Sequence, residues 1–388
     1  MKYVERDLSP KLKGMVSRFP VVYLTGPRQS GKSTLLKALY TDYVYVNLEE
    51  KDTRDFATGD PRGFLASCGS RLIIDEAQRA PNLFSYIQAQ VDKKNTPGMY
   101  ILSGSQNFLL MRSISQSLAG RVGILSLLPF SLKELERAKR LPKTANDWML
   151  RGSYPRLIAT PGMTPEDFFS GYIATYVERD IRMEVNIHDL DKFRRFLTMC
   201  AACAGSPVNL SKIGAQIPAD ARTVSSWLSI LEESYIIFRL APYYRNLGKR
   251  YVKTPKLYFY DTGLLCALLG FTRPNELNLH EMRGHIFEAA VICETAKKYY
   301  NAGKMPKMYY WRDSDNKDKE IDLLEENAGN LILSEIKSSQ TANKDYAKNL
   351  AGFSAQAAGV KCTRRVIFDG AGGPVFSGAR YINWKSLA

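Results

Sequence analysis

Residues Gly26-Pro27-Arg28-Gln29-Ser30-Gly31-Lys32-Ser33 stand between an apolar, β-branched run, Val21-Val22-Tyr23-Leu24, and a helix-forming stretch that begins at Thr34. A glycine-bounded loop that joins a buried strand to a helix N-terminus commits this part of the chain to an α/β parallel sheet, the P-loop NTPase arrangement. Gly26 and Gly31 let the backbone curl until its N–H groups point inward, and the helix adds the positive end of its dipole. The stretch from Gly26 to Thr34, including Pro27, Arg28, Gln29 and Ser30, therefore reads as a cradle for a nucleoside triphosphate. Lys32 would reach the β- and γ-phosphates, and the Ser33 hydroxyl would sit on Mg²⁺. ATP and Mg²⁺ are the expected cofactors.

A second element turns binding into hydrolysis. Leu72-Ile73-Ile74-Asp75-Glu76 is a continuous apolar run ending in two carboxylates. In a parallel sheet, ligands collect at the carboxyl ends of buried strands, so this acidic tip belongs beside the phosphates. Asp75 would hold Mg²⁺ and Glu76 would polarise water. Further strands are expected at 43–48, 99–103 and 122–127, with helical stretches between them. The polar turn Ser103-Gly104-Ser105-Gln106-Asn107 ends the fourth strand, where Ser103 could sense the γ-phosphate. Arg121 stands in sequence where a related ATPase carries an arginine that contacts phosphate, in cis or from a neighbour.

Together the loop, the acidic strand, Ser103-Gly104-Ser105, Ala119-Gly120-Arg121, Gly152-Ser153-Tyr154-Pro155 and Tyr176-Val177-Glu178-Arg179-Asp180-Ile181 resemble the prokaryotic AAA-type ATPases fused to the domain of unknown function 4143. The resemblance covers nearly the whole chain. It implies an ATP-binding domain, a winged-helix module and a restriction-endonuclease-like C-terminal domain.

The 388 residues are too many for one core and suit such a division. Proline and glycine punctuation gives an ATPase domain over 1–140, a helical lid or connector over 141–204, a winged helix over 205–260 and a nuclease-like α/β domain over 261–388. The formal net charge of +15 favours a polyanionic partner, nucleic acid before a membrane surface. No apolar run approaches a membrane span and no signal region opens the chain, so a cytoplasmic protein is expected. The six cysteines are scattered, and Cys200 and Cys203 have metal-like spacing without a second pair. They read instead as one buried helix face.

After Ala204-Gly205-Ser206-Pro207, a helix starting at Asn209 and a second one capped by Asp220 read as a helix-turn-helix, followed by strands at 235–240 and 256–260. Arg222 on the second helix, with Arg245, Lys249, Arg250 and Lys253 on the wing and Tyr243, Tyr244 and Tyr251 interleaved, would meet DNA phosphates. The competing reading is a wing that makes interdomain or protein contacts.

The C-terminal constellation is Glu288 on a helix beginning near Gly284, Asp322 in Glu320-Ile321-Asp322-Leu323-Leu324, and Glu335-Ile336-Lys337. Two residues apart on a strand, Glu335 and Lys337 share a face with Leu331 and Leu333. Asp322 and Glu335 could pair on Mg²⁺, Glu288 could complete the cluster, and Lys337 could orient or deprotonate the attacking water. A solvated strand of alternating charge explains the same letters. The expected protein is an ATP-hydrolysing AAA-type enzyme coupling nucleotide state to DNA through the winged helix and nuclease-like domain. The alternative is a nucleotide-dependent switch on DNA or protein with no nuclease activity, and an oligomer fits either.

Overall fold

The computed structural model describes residues 3–105, 117–181, 189–244, 254–313, 319–357 and 359–388. Its first half is a five-stranded, all-parallel sheet. Strands β1 (Val21–Thr25), β2 (Val44–Asn47), β3 (Leu72–Asp75), β4 (Tyr100–Ser103) and β5 (Val122–Ser126) lie in the order β2-β3-β4-β1-β5. The three strands expected at 43–48, 99–103 and 122–127 are thus present, a residue or two shorter.

The three inner strands are buried at every position, as continuous apolar runs require when helices cover both faces. Alternate residues divide between the faces. Tyr23, Leu72, Ile74 and Leu102 pack on Phe64, Phe84 and Ile87. Val22, Leu24, Ile73 and Ile101 pack on Leu12, Leu35 and Leu36 from the other side. The covering helices are α1 (Ser9–Val16), α2 (Lys32–Leu39), α3 (Lys51–Gly59), α4 (Pro61–Cys68) and α5 (Leu83–Lys94).

Helix α6 (Leu132–Arg137) opens the second half with a reciprocal cap between Ser131 and Glu134. It is followed by α7 (Ala145–Arg151), α8 (Pro155–Ala159) and α9 (Pro165–Tyr172), the last continued over Ile173–Ile181 in the wider π repeat. Three helices come next: α10 (Leu190–Ala202), α11 (Leu210–Gln216) and α12 (Ala221–Glu233). Asn209 caps α11 through the Lys212 N–H at 2.9 Å, and Asp220 caps α12 through the Thr223 N–H at 2.6 Å. An antiparallel pair, β6 (Ile237–Leu240) and β7 (Lys256–Phe259), closes this unit.

Beyond α13 (Thr262–Leu268) and the long α14 (Arg283–Asn301) lies a mixed six-stranded sheet in the order β12-β13-β11-β10-β9-β8. Strands β8 (Met308–Arg312), β9 (Glu320–Asn327) and β10 (Asn330–Lys337) form an antiparallel meander. Helix α15 (Lys348–Gln356) then carries the chain to β11 (Cys362–Phe368), parallel to β10, and β12 (Val375–Phe376) and β13 (Ala379–Asn383) complete the edge.

One apolar core runs from Leu132 to Trp384 and joins the helical segment, the β6–β7 hairpin and α14 to one face of the mixed sheet. Trp148 of α7 stacks on Trp384 with ring centroids 4.7 Å apart. Cys200 is buried in this core on α10 beside Phe196 and Leu197, as a helix face requires. No helix among the described residues is long and apolar enough to cross a membrane.

Candidate functional site

The parallel sheet brings three strand ends to one edge. The loop after β1 passes Gly26 at φ 140° and Gly31 at φ 93°, backbone conformations that side chains rarely adopt. A Cβ on Gly26 would lie 2.2 Å from the Leu127 carbonyl oxygen, so only glycine lets the loop close there. Lys32 opens α2 and folds back over the loop, its Nζ donating to the Gly26 and Pro27 carbonyls at 2.9 Å each. Burial lowers its pKa to about 8, against the raising influence of Glu76 and Asp75. Ser30 Oγ is buried in the same loop without a hydrogen-bond partner.

Asp75 sits at the centre of this edge. The hydroxyls of Ser103 on β4 and Tyr45 on β2 donate to its carboxylate, and the Glu76 N–H lies 3.1 Å from Oδ1. Burial alone would raise the Asp75 carboxyl. The hydroxyls of Ser103, Ser33 and Tyr45 and the charge of Lys32 overcome it and hold the group below its ordinary range. Asp75 is thus kept ionised, with Lys32 and Ser33 as neighbours. Glu76 takes a left-handed backbone at φ 55°. Its carboxylate accepts from Gln78 Nε2 at 2.5 Å, and that nitrogen is 3.3 Å from Ser105 Oγ. Burial raises the Glu76 pKa, as suits a proton acceptor.

A cavity of about 590 Å³ opens beside these groups, within the size range of small-molecule sites. Arg28, Lys32, Ser33 and Glu76 line one end; Tyr3, Val4, Phe130 and Pro155 give the other an apolar wall, with Arg156 beside it. Buried Arg6 ties the wall to the loop. Its guanidinium donates to the Ser30 carbonyl at 2.8 Å and to Glu134 at 2.9 Å, under the Phe130 ring. Lys297 of α14 braces this wall from behind, donating to the Phe130 carbonyl at 2.9 Å and to the Oγ of Ser153, just before Pro155 in the chain, at 2.8 Å. Asp261 accepts from the Ser153 N–H at 2.8 Å. The cationic loop, the orphaned hydroxyl, the ionised Asp75 and the apolar wall fit a nucleoside triphosphate and its divalent cation.

Arg121 corrects the reading of a phosphate contact in cis. It precedes β5, and Val21 pairs with Val122, so it lies at the amino ends of the strands while the loop lies at their carboxyl ends. There it pairs with Asp92 at 2.5 Å. Arg28 packs over the Tyr176 ring at 5.3 Å and lies 3.5 Å from Glu49, which gives the Tyr176-Val177-Glu178 segment a contact with the loop.

A second polar site lies in the mixed sheet. The β9–β10 ladder pairs Leu323 with Ser334, and the next residues, Asp322 and Glu335, are brought together with Lys337. Asp322 accepts from the Ile336 N–H at 2.7 Å. Lys337 Nζ is 2.7 Å from Glu335 Oε1 and 4.0 Å from Asp322. Burial raises both carboxyl pKa values; the charge of Glu288 adds to this at Asp322, and that of Asp322 at Glu335. Glu335 Oε2 is buried without a partner.

Glu288 on α14 is near but turned away. It accepts from Tyr258 and lies 3.1 Å from Lys256 Nζ, both on β7. Among the described residues no three His, Cys, Asp or Glu side chains come together as a metal-binding group. The expected trio of Glu288, Asp322 and Glu335 is therefore an assembled pair plus a third carboxylate held by a lysine. Lys256 carries no motif, and sequence gave no sign of it.

Of the expected nucleic-acid contacts, Arg222 is exposed in the first turn of α12. Arg245, Lys249, Arg250 and Lys253 lie outside the described residues, as do Tyr251, Gln106 and Asn107. Tyr243 is a correction: it is buried against Tyr309 and Phe353 of the C-terminal sheet and is not free to stack on bases.

Three family models match this chain. Residues 18–136 match the AAA domain, 142–275 the domain of unknown function 8612, and 283–375 the domain of unknown function 4143. An uncharacterized protein of Mycobacterium tuberculosis is 31% identical over 341 residues, 87% of this chain and 74% of the relative. An uncharacterized protein of Haemophilus influenzae is 26% identical over 360 residues, 84% of each. Among solved structures, the Walker-type ATPase PABY2304 of Pyrococcus abyssi aligns over 69% of this chain and 96% of its own, at 18% identity and a TM-score of 0.43.

Proposed function

This chain belongs to the family of AAA-domain proteins that carry the domain of unknown function 4143, and from that premise we propose that it binds ATP with Mg²⁺, hydrolyses it and relays its nucleotide state to DNA. The observation that carries the reading is Asp75, ionised by three hydroxyls and set beside Lys32 and Ser33. Lys32 and the loop N–H groups would bind the β- and γ-phosphates, while Ser33 and Asp75 would hold the cation. Mg²⁺ would neutralise charge developing on the transferred phosphoryl group. Glu76, its proton affinity raised by burial, would take the proton of the attacking water, with Gln78 orienting the carboxylate. Ser103 would report the γ-phosphate to Asp75, and the wall of Tyr3, Val4, Phe130 and Pro155 would receive the base. Arg121, at the far edge of the sheet, would reach phosphate only on a neighbouring copy.

The test is Lys32→Ala in the full chain: ATP turnover disappears, and normal hydrolysis by that variant would refute the reading.

The three-helix unit with its β6–β7 hairpin has the order of a winged helix, and Arg222 with the basic residues at 245–253 would contact phosphates. The net charge of +15 supports a polyanionic partner. A titration in which DNA affinity falls steeply with salt is expected; salt-independent binding would exclude phosphate contacts. The helix-meander-helix-strand order of α14, β8–β10, α15 and β11 supports a restriction-endonuclease-like fold. Asp322 and Glu335 would hold Mg²⁺ there, with Lys337 beside the attacking water. Asp322→Ala and Glu335→Ala should abolish metal-dependent DNA cleavage. One observation favours a switch without nuclease activity: Glu288 is held by Lys256 instead of joining the pair. In either reading we place the protein in the cytoplasm.

A further inference from the structure

Lys256 is the first residue of β7, and only 2% of its side chain is exposed. Its ammonium lies 3.1 Å from Glu288 and 2.5 Å from Glu320, with the Tyr310 ring 5.4 Å away. Burying an ammonium costs several kcal/mol unless carboxylates surround it, so the position is held by Glu288 and Glu320 together. The backbone holds it too: β7 pairs with β6, and Pro207 bridges to Lys256 itself. The charged groups thus divide into two sets, Lys256 with Glu288 and Glu320, the latter also paired with Arg312, and Lys337 with Asp322 and Glu335. In the second set Glu335 Oε2 is buried with nothing donating to it, which leaves that oxygen open to a cation.

We propose that Lys256 is an internal competitor for a divalent cation: by holding Glu288, it keeps the third carboxylate from the Asp322–Glu335 pair and weakens metal binding there. The inference rests on the reading that this pair takes a divalent cation. A fixed positive charge beside the pair repels a metal ion, and the ligand it withholds is the one that would complete an oxygen set. Since β7 belongs to the helix-and-hairpin unit and the carboxylates to α14 and the mixed sheet, occupancy of the acidic site depends on how the hairpin is seated.

The experiment is Mn²⁺ binding to the full chain, without nucleotide, by calorimetry and by the paramagnetic signal of free Mn²⁺. Wild type and Lys256→Met are compared, each alone and combined with Asp322→Asn or with Glu288→Gln. Lys256→Met should bind Mn²⁺ about tenfold tighter or better, from one added carboxylate ligand and one removed charge. Asp322→Asn and Glu288→Gln should each erase that gain. The melting temperature of Lys256→Met should fall in chelator and rise with Mn²⁺ by more than that of wild type. If Lys256→Met does not fold, Lys256→Gln, which removes the charge but keeps an amide donor between Glu288 and Glu320, takes its place with the same readout. Mn²⁺ binding that Asp322→Asn abolishes but that Lys256 substitution leaves unchanged would overturn the role of Lys256 and leave the metal site standing. Binding that is indifferent to Asp322 in every background would overturn the metal site, and this inference with it.

Discussion

Lys32 makes the nucleotide reading measurable in protons. Its ammonium is held against two carbonyls in a buried loop, and its pKa falls from 10.5 to about 8. A triphosphate arriving beside it supplies the negative charge that burial removed water from, and so returns Lys32 to its ordinary range. At pH 9 about nine-tenths of Lys32 is neutral before binding and nearly all of it is charged afterwards, so binding takes up about 0.9 proton. The uptake falls to about 0.5 at pH 8 and about 0.1 at pH 7. Calorimetry of Mg²⁺–ATP binding in two buffers of different ionisation enthalpy reads this number directly. The stability of the empty protein carries the same signature. Between pH 8 and 10.5 the unfolded chain binds more protons at Lys32 than the folded one, so stability rises with pH across that window. The recovered penalty is about 3 kcal/mol at 1.36 kcal/mol per pH unit. Lys32→Met should abolish the proton uptake together with ATP binding. Uptake that does not change from pH 7 to pH 9, or that survives in Lys32→Met, would refute the assignment of Lys32 to the phosphates.

Glu76→Gln removes the proton acceptor and keeps the shape, so ATP should still bind while single-turnover hydrolysis slows by about 10²–10⁴; an unchanged rate would move the base elsewhere. At the acidic pair, both carboxyls are raised in the folded chain, so its stability is greatest at low pH and is lost as pH rises above the ordinary carboxylate range. Glu335→Gln should therefore raise the melting temperature at pH 8 and change it much less at pH 5, the opposite pH trend showing that the pair is not strained. Lys297→Met strips the buried cation from Glu294 and Ser153 and should cost about 3–5 kcal/mol in denaturant unfolding. A cost under about 1 kcal/mol would mean the nucleotide wall does not depend on α14.

What could be read without coordinates was whatever local rules enforce. The glycines at 26 and 31, the apolar strands and the caps at Asn209 and Asp220 each state their conformation within a few residues. So the parallel sheet was legible, with the edge where the loop and the acidic strand tip meet, as were Asp322 and Glu335 on neighbouring strands. Tyr45 was not: its hydroxyl reaches Asp75, 30 residues on, only because β2 lies beside β3. Arg6, Lys256 and Lys297 were invisible for a stronger reason. Each reaches segments far off in the chain, Lys297 in addition to its near neighbour Glu294, and an isolated basic letter carries no sign of burial. Arg121 misled because proximity in sequence to a phosphate-binding domain does not say which end of a parallel strand a residue occupies.

These long-range cations share a logic. Helix α14 runs nineteen residues, about 28 Å at 1.5 Å per residue. Glu288 near its start belongs to the acidic site. Lys297, nine residues on, points about 900° around the axis, which is the opposite side, and holds the Phe130 and Ser153 segments of the nucleotide wall. Between them Ala289, Val291 and Ile292 are buried in the shared core. The helix is therefore gripped by charge on two faces and by packing along its length. A turn or slide of the helix would disturb both sites at once. Lys256 belongs to the same arrangement from the other side, because it holds Glu288 from β7, which packs on α14 in that core. On the proposed reading, a nucleotide against the Phe130 wall and a cation at the Asp322–Glu335 pair would both act on this one helix. A single helix held at opposite faces thus links the two proposed sites.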